Sequence, residues 1–93
     1  MNTIRQSGAT GNAIAEALGR IKHTGYLTLG TKQLVLAVQE QSNVTDKQLA
    51  EKLIVSPTAI SRWRHKNSGE TFLVSRLIAF AAELLSKGKK ANA

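Results

Sequence analysis

Residues 45–64 read Thr45-Asp46-Lys47-Gln48-Leu49-Ala50-Glu51-Lys52-Leu53-Ile54-Val55-Ser56-Pro57-Thr58-Ala59-Ile60-Ser61-Arg62-Trp63-Arg64. This stretch encodes two short helices with a tight connection. Thr45 followed three places later by Gln48 has the form of a capping box, in which each side chain satisfies the other residue's backbone N–H. Asp46 falls in the first turn, where the helix dipole favours negative charge. The second helix starts at Ser56-Pro57, a cap serine with proline at the first helical position, where the missing N–H costs nothing. Leu49, Leu53, Val55, Ile60 and Trp63 are spaced to point into a shared core. Ala50 is small where the two helices must approach closely. Such a pair crosses steeply and leaves the second helix exposed along one side.

The rest of the chain supplies helices for this pair to pack on. Residues 1–11 are polar and hold Gly8 and Gly11, so an arm is expected there. Asn12 is placed to cap a short helix from Ala13 to Arg20, with Ile14, Ala17, Leu18 and Ile21 on one face. His23-Thr24-Gly25 reads as a loop. Tyr26, Leu27 and Leu29 are apolar enough for a short strand, but no partner strand is evident. A second helix is expected over Thr31–Gln41, burying Leu34, Val35, Ala37 and Val38. Asn67-Ser68-Gly69 ends the helix that begins at Pro57. The last helix is expected over Glu70–Lys87, stopped by Gly88, with residues 89–93 as a basic tail. The expected fold is therefore all-α, a compact bundle of about five short helices over residues 12–88.

Composition narrows the function. The chain has 93 residues, a net charge of +7 and no cysteine. That length suits one domain. Disulfides and thiolate metal sites are excluded, and His23 and His65 have no partner at ligand spacing. No catalytic residue, metal or cofactor is expected, because the sequence has no Gly-rich phosphate loop and no nucleophile with an activating base. No apolar run approaches the roughly 20 residues needed to cross a bilayer. The start lacks a secretion signal, so a cytoplasmic protein without a membrane partner is expected. A basic chain of this kind is drawn to polyanions.

The charge distribution points to duplex DNA. No acidic residue lies between Lys52 and Gly69, whereas Arg62, Arg64 and Lys66 do. An exposed helix can enter a major groove about 12 Å wide. Thr58, Ala59 and Ser61 are short enough to let the backbone approach. Arg62 lies one turn beyond Thr58 on the same face and can reach a guanine edge with a bidentate fork. Arg64 and Lys66 are better placed for phosphates. Thr45 and Ser56 start helices whose free N–H groups can receive phosphate oxygens, and Lys47 joins this backbone-contacting set.

Gln48-Leu49-Ala50-Glu51-Lys52-Leu53 followed by Val55-Ser56-Pro57-Thr58-Ala59-Ile60-Ser61-Arg62-Trp63 resembles the Cro and lambda-repressor-like helix-turn-helix family. Ile60-Ser61-Arg62-Trp63 with a long apolar helix after it also resembles the CII-type phage activators. The resemblance runs from about Gly30 to Leu85. It implies a homodimer, or a tetramer in the CII type, that binds a repeated operator and controls transcription, with RNA polymerase or another regulatory protein as a further candidate partner. It puts Pro57, Thr58, Ser61 and Arg62 on the base-reading face, Thr45, Asp46 and Ser56 near the DNA backbone, and Trp63 in the core. The chain departs from the family at the turn, where Ile54 replaces the usual glycine. A β-branched residue resists positive φ. Either the turn takes different backbone angles, or the helices cross at a different angle.

The last helix carries two adjoining apolar stripes, one of Leu73, Leu77, Phe80 and Leu84, the other of Val74, Ile78, Ala81 and Leu85. That band is wider than a one-sided helix needs. Either this is the central core helix, or part of the band pairs with a second subunit; on the second reading the first stripe is the dimer contact, which would set two reading helices about 34 Å apart. Two other classes stay open: a protein–protein adaptor or anti-repressor, and a DNA-binding module for replication, partition or an antitoxin.

Overall fold

The computed structural model describes residues 13–92, with side chains as far as Lys87. The expected arm over residues 1–11, the Asn12 cap and the side chains of the basic tail lie outside the described residues. The element order is α1 (13–19), β1 (Lys22–Thr24), β2 (Leu27–Leu29), α2 (Thr31–Ser42), α3 (Asp46–Leu53), α4 (Pro57–Lys66), β3 (Ser68–Glu70) and α5 (Thr71–Asn92).

The helices fall close to where capping and periodicity put them, but the all-α expectation is overturned. A three-stranded antiparallel sheet in the order β1-β2-β3 stands among the five helices of the described residues. Strand β2 does have partners. One is β1, through a two-residue turn in which Gly25 alone takes a positive φ, of 66°. Glycine at that first central position suits a II′ hairpin. The other is β3, formed by the residues that read only as a helix stop. Each strand is three residues long. So short a run shows no alternation, and the β2–β3 pairing is remote in sequence.

Gly69 is in β3 because no side chain fits there. A Cβ would collide with the Trp63 indole and lie 2.8 Å from Val74 Cγ2. The sheet is thereby pressed onto the back of α4 and the start of α5. Its inner face carries His23, Thr28 and Gly69, which are cross-strand neighbours. Thr28 is fully buried, with its hydroxyl 2.9 Å from His23 Nδ1 and 3.0 Å from the Thr71 hydroxyl.

The core joins Ile14 and Ala17 of α1, Leu34, Val35 and Val38 of α2, Leu49, Ala50 and Leu53 of α3, Ile60 and Trp63 of α4, and Val74, Leu77 and Ala81 of α5. This corrects one part of the expected dimer stripe. Leu77 is fully buried within the chain, and Leu73, Phe80 and Leu84 are partly buried against the same core. The apolar band on α5 is wide because α2, α3 and the sheet all pack on it. Gly88 does not stop α5, which runs on to Asn92. One glycine costs a helix only about 1 kcal/mol relative to alanine.

Three helices end on a residue in the left-handed region: α2 at Asn43 (φ 57°), α3 at Ile54 (φ 58°) and α4 at Asn67 (φ 60°). Asparagine tolerates that region and isoleucine does not. The turn after α3 therefore keeps the geometry that glycine would give it. Val55 N–H donates to Ala50 O at 3.0 Å and Ile54 N–H to Glu51 O at 3.3 Å, which together make a Schellman motif. Arg76 Nη1 donates to Ile54 O at 2.8 Å and to Leu53 O at 3.3 Å, holding the next two carbonyls of the turn from α5.

The Ile54 side chain is 79% exposed and returns little burial for its strained backbone. Ile54→Gly should therefore stabilise the protein by about 1 kcal/mol, relief of strain outweighing the added freedom of the unfolded chain. Thermal unfolding should show a melting temperature higher by roughly 4–8 °C. An unchanged or lower value would mean that the isoleucine side chain stabilises the turn more than its backbone strain costs.

Candidate nucleic-acid interface

The two-helix unit is built as its caps dictate. Thr45 Oγ1 accepts from Gln48 N–H at 3.1 Å, and Gln48 Oε1 accepts from Thr45 N–H at 2.9 Å. Ser56 Oγ accepts from Ala59 N–H at 3.1 Å, with Pro57 opening α4. Because Pro57 has no N–H and Ala59 is capped, Thr58 is the first-turn residue of α4 with an N–H left to offer an anion.

Ile60 and Trp63 turn inward, 0% and 2% exposed. At 100° per residue this leaves Thr58, Ser61, Arg62 and His65 on the opposite side, flanked by Pro57 and Lys66. Ser61 is partly buried and the others are exposed. The four residues expected to read bases, Pro57, Thr58, Ser61 and Arg62, thus share one outward strip. Thr45, Lys47 and Ser56 are also exposed.

Two residues expected beside the DNA backbone are engaged within the protein. Arg64 Nη1 lies 2.7 Å from Asp46 Oδ1 and 2.8 Å from Oδ2, and Gln39 Nε2 donates to the same Oδ1 at 2.7 Å. Both side chains of the pair are about two-thirds covered, at 38% and 34% exposure. Asp46 therefore ties α4 to α3 and α2, and Arg64 is held on the flank of α4 by its carboxylate. It is the one ion pair among the described residues, so neither Arg62 nor Lys66 is neutralised there.

His65, a residue not among those assigned to DNA contact, is exposed in the middle of the outward strip. Its Nδ1–H donates to Ser61 O at 2.8 Å. That bond places the donor on Nδ1 and leaves Nε2 as the free ring nitrogen. The helical spacing of Ser61 and His65 was the available signal.

A concave surface runs along the side of α4, lined by Ala59, Arg62 and Lys66 on one wall and by Leu27, Ser68 and Glu70 of the sheet on the other. Among the described residues, no three His, Asp or Glu side chains gather as a metal site, and no helix is long and apolar enough to cross a membrane. In comparisons with known proteins, the chain matches no family model, no curated sequence and no solved structure.

The Asp46–Arg64 contact can be isolated with a double-mutant cycle on Asp46→Asn and Arg64→Gln. Urea titrations should give a coupling of about 0.5–1 kcal/mol, because both charges are partly covered and Gln39 holds the carboxylate in place. The coupling should shrink with added salt. A value near zero would make the pair an incidental surface contact.

Proposed function

We propose that this protein is a sequence-specific DNA-binding regulator of transcription that inserts α4 into the major groove of operator DNA as a homodimer. The observation that carries this reading is the outward strip of α4. It presents short polar side chains in its first half, Arg62 and Lys66 beyond them, and no carboxylate. Trp63 and Ile60 brace it from behind, so the helix can meet a duplex without rearranging.

On this reading Thr58 and Arg62 contact base edges, with Arg62 suited to the O6 and N7 acceptors of guanine. Lys47, Lys66 and the helix starts at Thr45 and Ser56 receive phosphates. Dimerisation uses the outward side of α5, where Phe72 and Ala79 are exposed, with Phe80 partly so. Arg76 and Glu83 lie two turns apart on that side. An antiparallel pairing of two copies of α5 sets Arg76 of each opposite Glu83 of the other.

Selection of bound duplexes from a random pool tests the proposal. An inverted repeat with half-sites centred about 10 base pairs apart is expected for a two-fold dimer. Arg62→Ala should bind the selected site more weakly by about 1–3 kcal/mol and lose its preference at one base pair per half-site. Uniform weakening on every sequence would remove Arg62 from base reading. Failure to bind any duplex at low salt would end the proposal in favour of a protein–protein role.

A further inference from the structure

We propose that the outward face of the three-stranded sheet is a second DNA-contacting surface, with Lys22 and Lys32 gripping the sugar–phosphate backbone beside the groove that α4 enters. This rests on the reading of α4 as the groove-entering helix and extends it to residues outside the two-helix unit.

The strand register makes the case. Lys22, Leu29 and Ser68 are direct cross-strand neighbours, so their side chains share one face of the sheet. That face is turned outward, because the other carries buried Thr28 and Gly69. Ser68 shares the concave surface beside α4 with Arg62 and Lys66. Leu29 shares the next hollow with Arg20, Lys32 and Asn67. A continuous strip of cations therefore crosses from Arg62 and Lys66, over Ser68 and Leu29, to Lys32 and Lys22. From β3 to β1 the sheet adds roughly 10 Å to the width of the surface. This exceeds the roughly 3.4 Å of helix rise between successive phosphates on a strand, so the sheet reaches phosphates that α4 does not.

Carboxylates mark the limits of the strip. Glu70 lies at the hairpin-tip end of the same face, opposite Leu27. Glu16 and Glu40 line the hollow beyond Arg20. A phosphate backbone is thus favoured along the Lys22–Leu29–Ser68 row and disfavoured on either side of it. Glu70 also lines the concavity between α4 and the sheet, so the backbone is favoured at its Ser68 end and not at its Glu70 end.

The test uses the full chain with Lys22→Gln and Lys32→Gln combined, and Lys87→Gln as a control. All three lysines are exposed, so melting temperatures should stay near that of the parent. Affinity for one selected duplex is measured against salt. Loss of two phosphate contacts from each copy, four in the two-fold dimer, should lower the slope of log affinity against log salt by about 3.6. Binding at about 50 mM salt should weaken tenfold or more, base preference should be unchanged, and the control should keep the parent slope. If the parent binds and Arg62→Ala relaxes its preference, but the Lys22/Lys32 variant keeps the parent slope, the sheet surface is overturned and the role of α4 stands. A parent protein that binds no duplex overturns both.

Discussion

Asn67 joins the end of α4 to the start of α2, and the orientation of the outward strip depends on that join. Its left-handed backbone ends α4, and its N–H donates back to Trp63 O at 3.1 Å. Its carbonyl accepts from Gly30 N–H at 3.0 Å, and its side-chain Oδ1 accepts from Lys32 N–H at 2.9 Å. Buried Thr31 then donates its hydroxyl to Trp63 O at 3.0 Å. Gly30, the cap of α2, has no side chain to cap with, so the N–H of Lys32 is satisfied by a residue remote in sequence. The carbonyl end of one helix thus faces the N–H end of another, with opposite dipole charges in contact. Trp63 lies beneath, buried against Gly69. The rotation of α4 about its own axis is fixed at its C-terminal end by these bonds and at its N-terminal end by Ser56 and the turn at Ile54.

The two ends are fixed at different cost. Asn67 reaches positive φ easily and uses its side chain as well. Ile54 reaches the same region against steric resistance and leaves its side chain in solvent. What holds it there is the surrounding geometry: two Schellman bonds, the Arg76 guanidinium on its carbonyl, and Leu53 and Val55 drawn into or against the core on either side. Backbone angles at a turn answer to the packing of the elements it joins, and the intrinsic preference of the turn residue is overruled when that packing is strong enough.

This explains what the sequence made legible. Helix starts could be read because their signals are local: Thr45 with Gln48, and Ser56 with Pro57, act within a single turn. The inward set of Leu49, Leu53, Ile60 and Trp63 was readable from periodicity, and so was the outward placing of Thr58 and Arg62. The sheet was not, because Leu27–Leu29 and Ser68–Glu70 are too short to show a period and pair across most of the domain. The partnership of Asp46 with Arg64 was also hidden. Both residues suit DNA contact when each is judged by its own helix position, and only the crossing of α3 over α4 brings them together. Leu77 was misplaced for a related reason. A wide apolar band looks the same in sequence whether a second subunit or the rest of the same chain covers it.

The division of the cations bears on how a protein this small could hold a duplex. Arg64 is committed to Asp46, so α4 itself brings Arg62 and Lys66, and only the latter is free for phosphate if the former reads a base. Specific DNA-binding proteins with strong salt dependence make about 6–10 phosphate contacts. Lys47 and Lys66 neutralise two phosphates per copy and four in a two-fold dimer, which falls short of that count. Lys22 and Lys32 raise the dimer to eight. The sheet and the dimer are then complementary parts of one requirement. A ten-residue helix, about 15 Å long, can select a sequence but offers too little charge to hold it, and the missing contacts must come from surfaces that extend beyond its two ends.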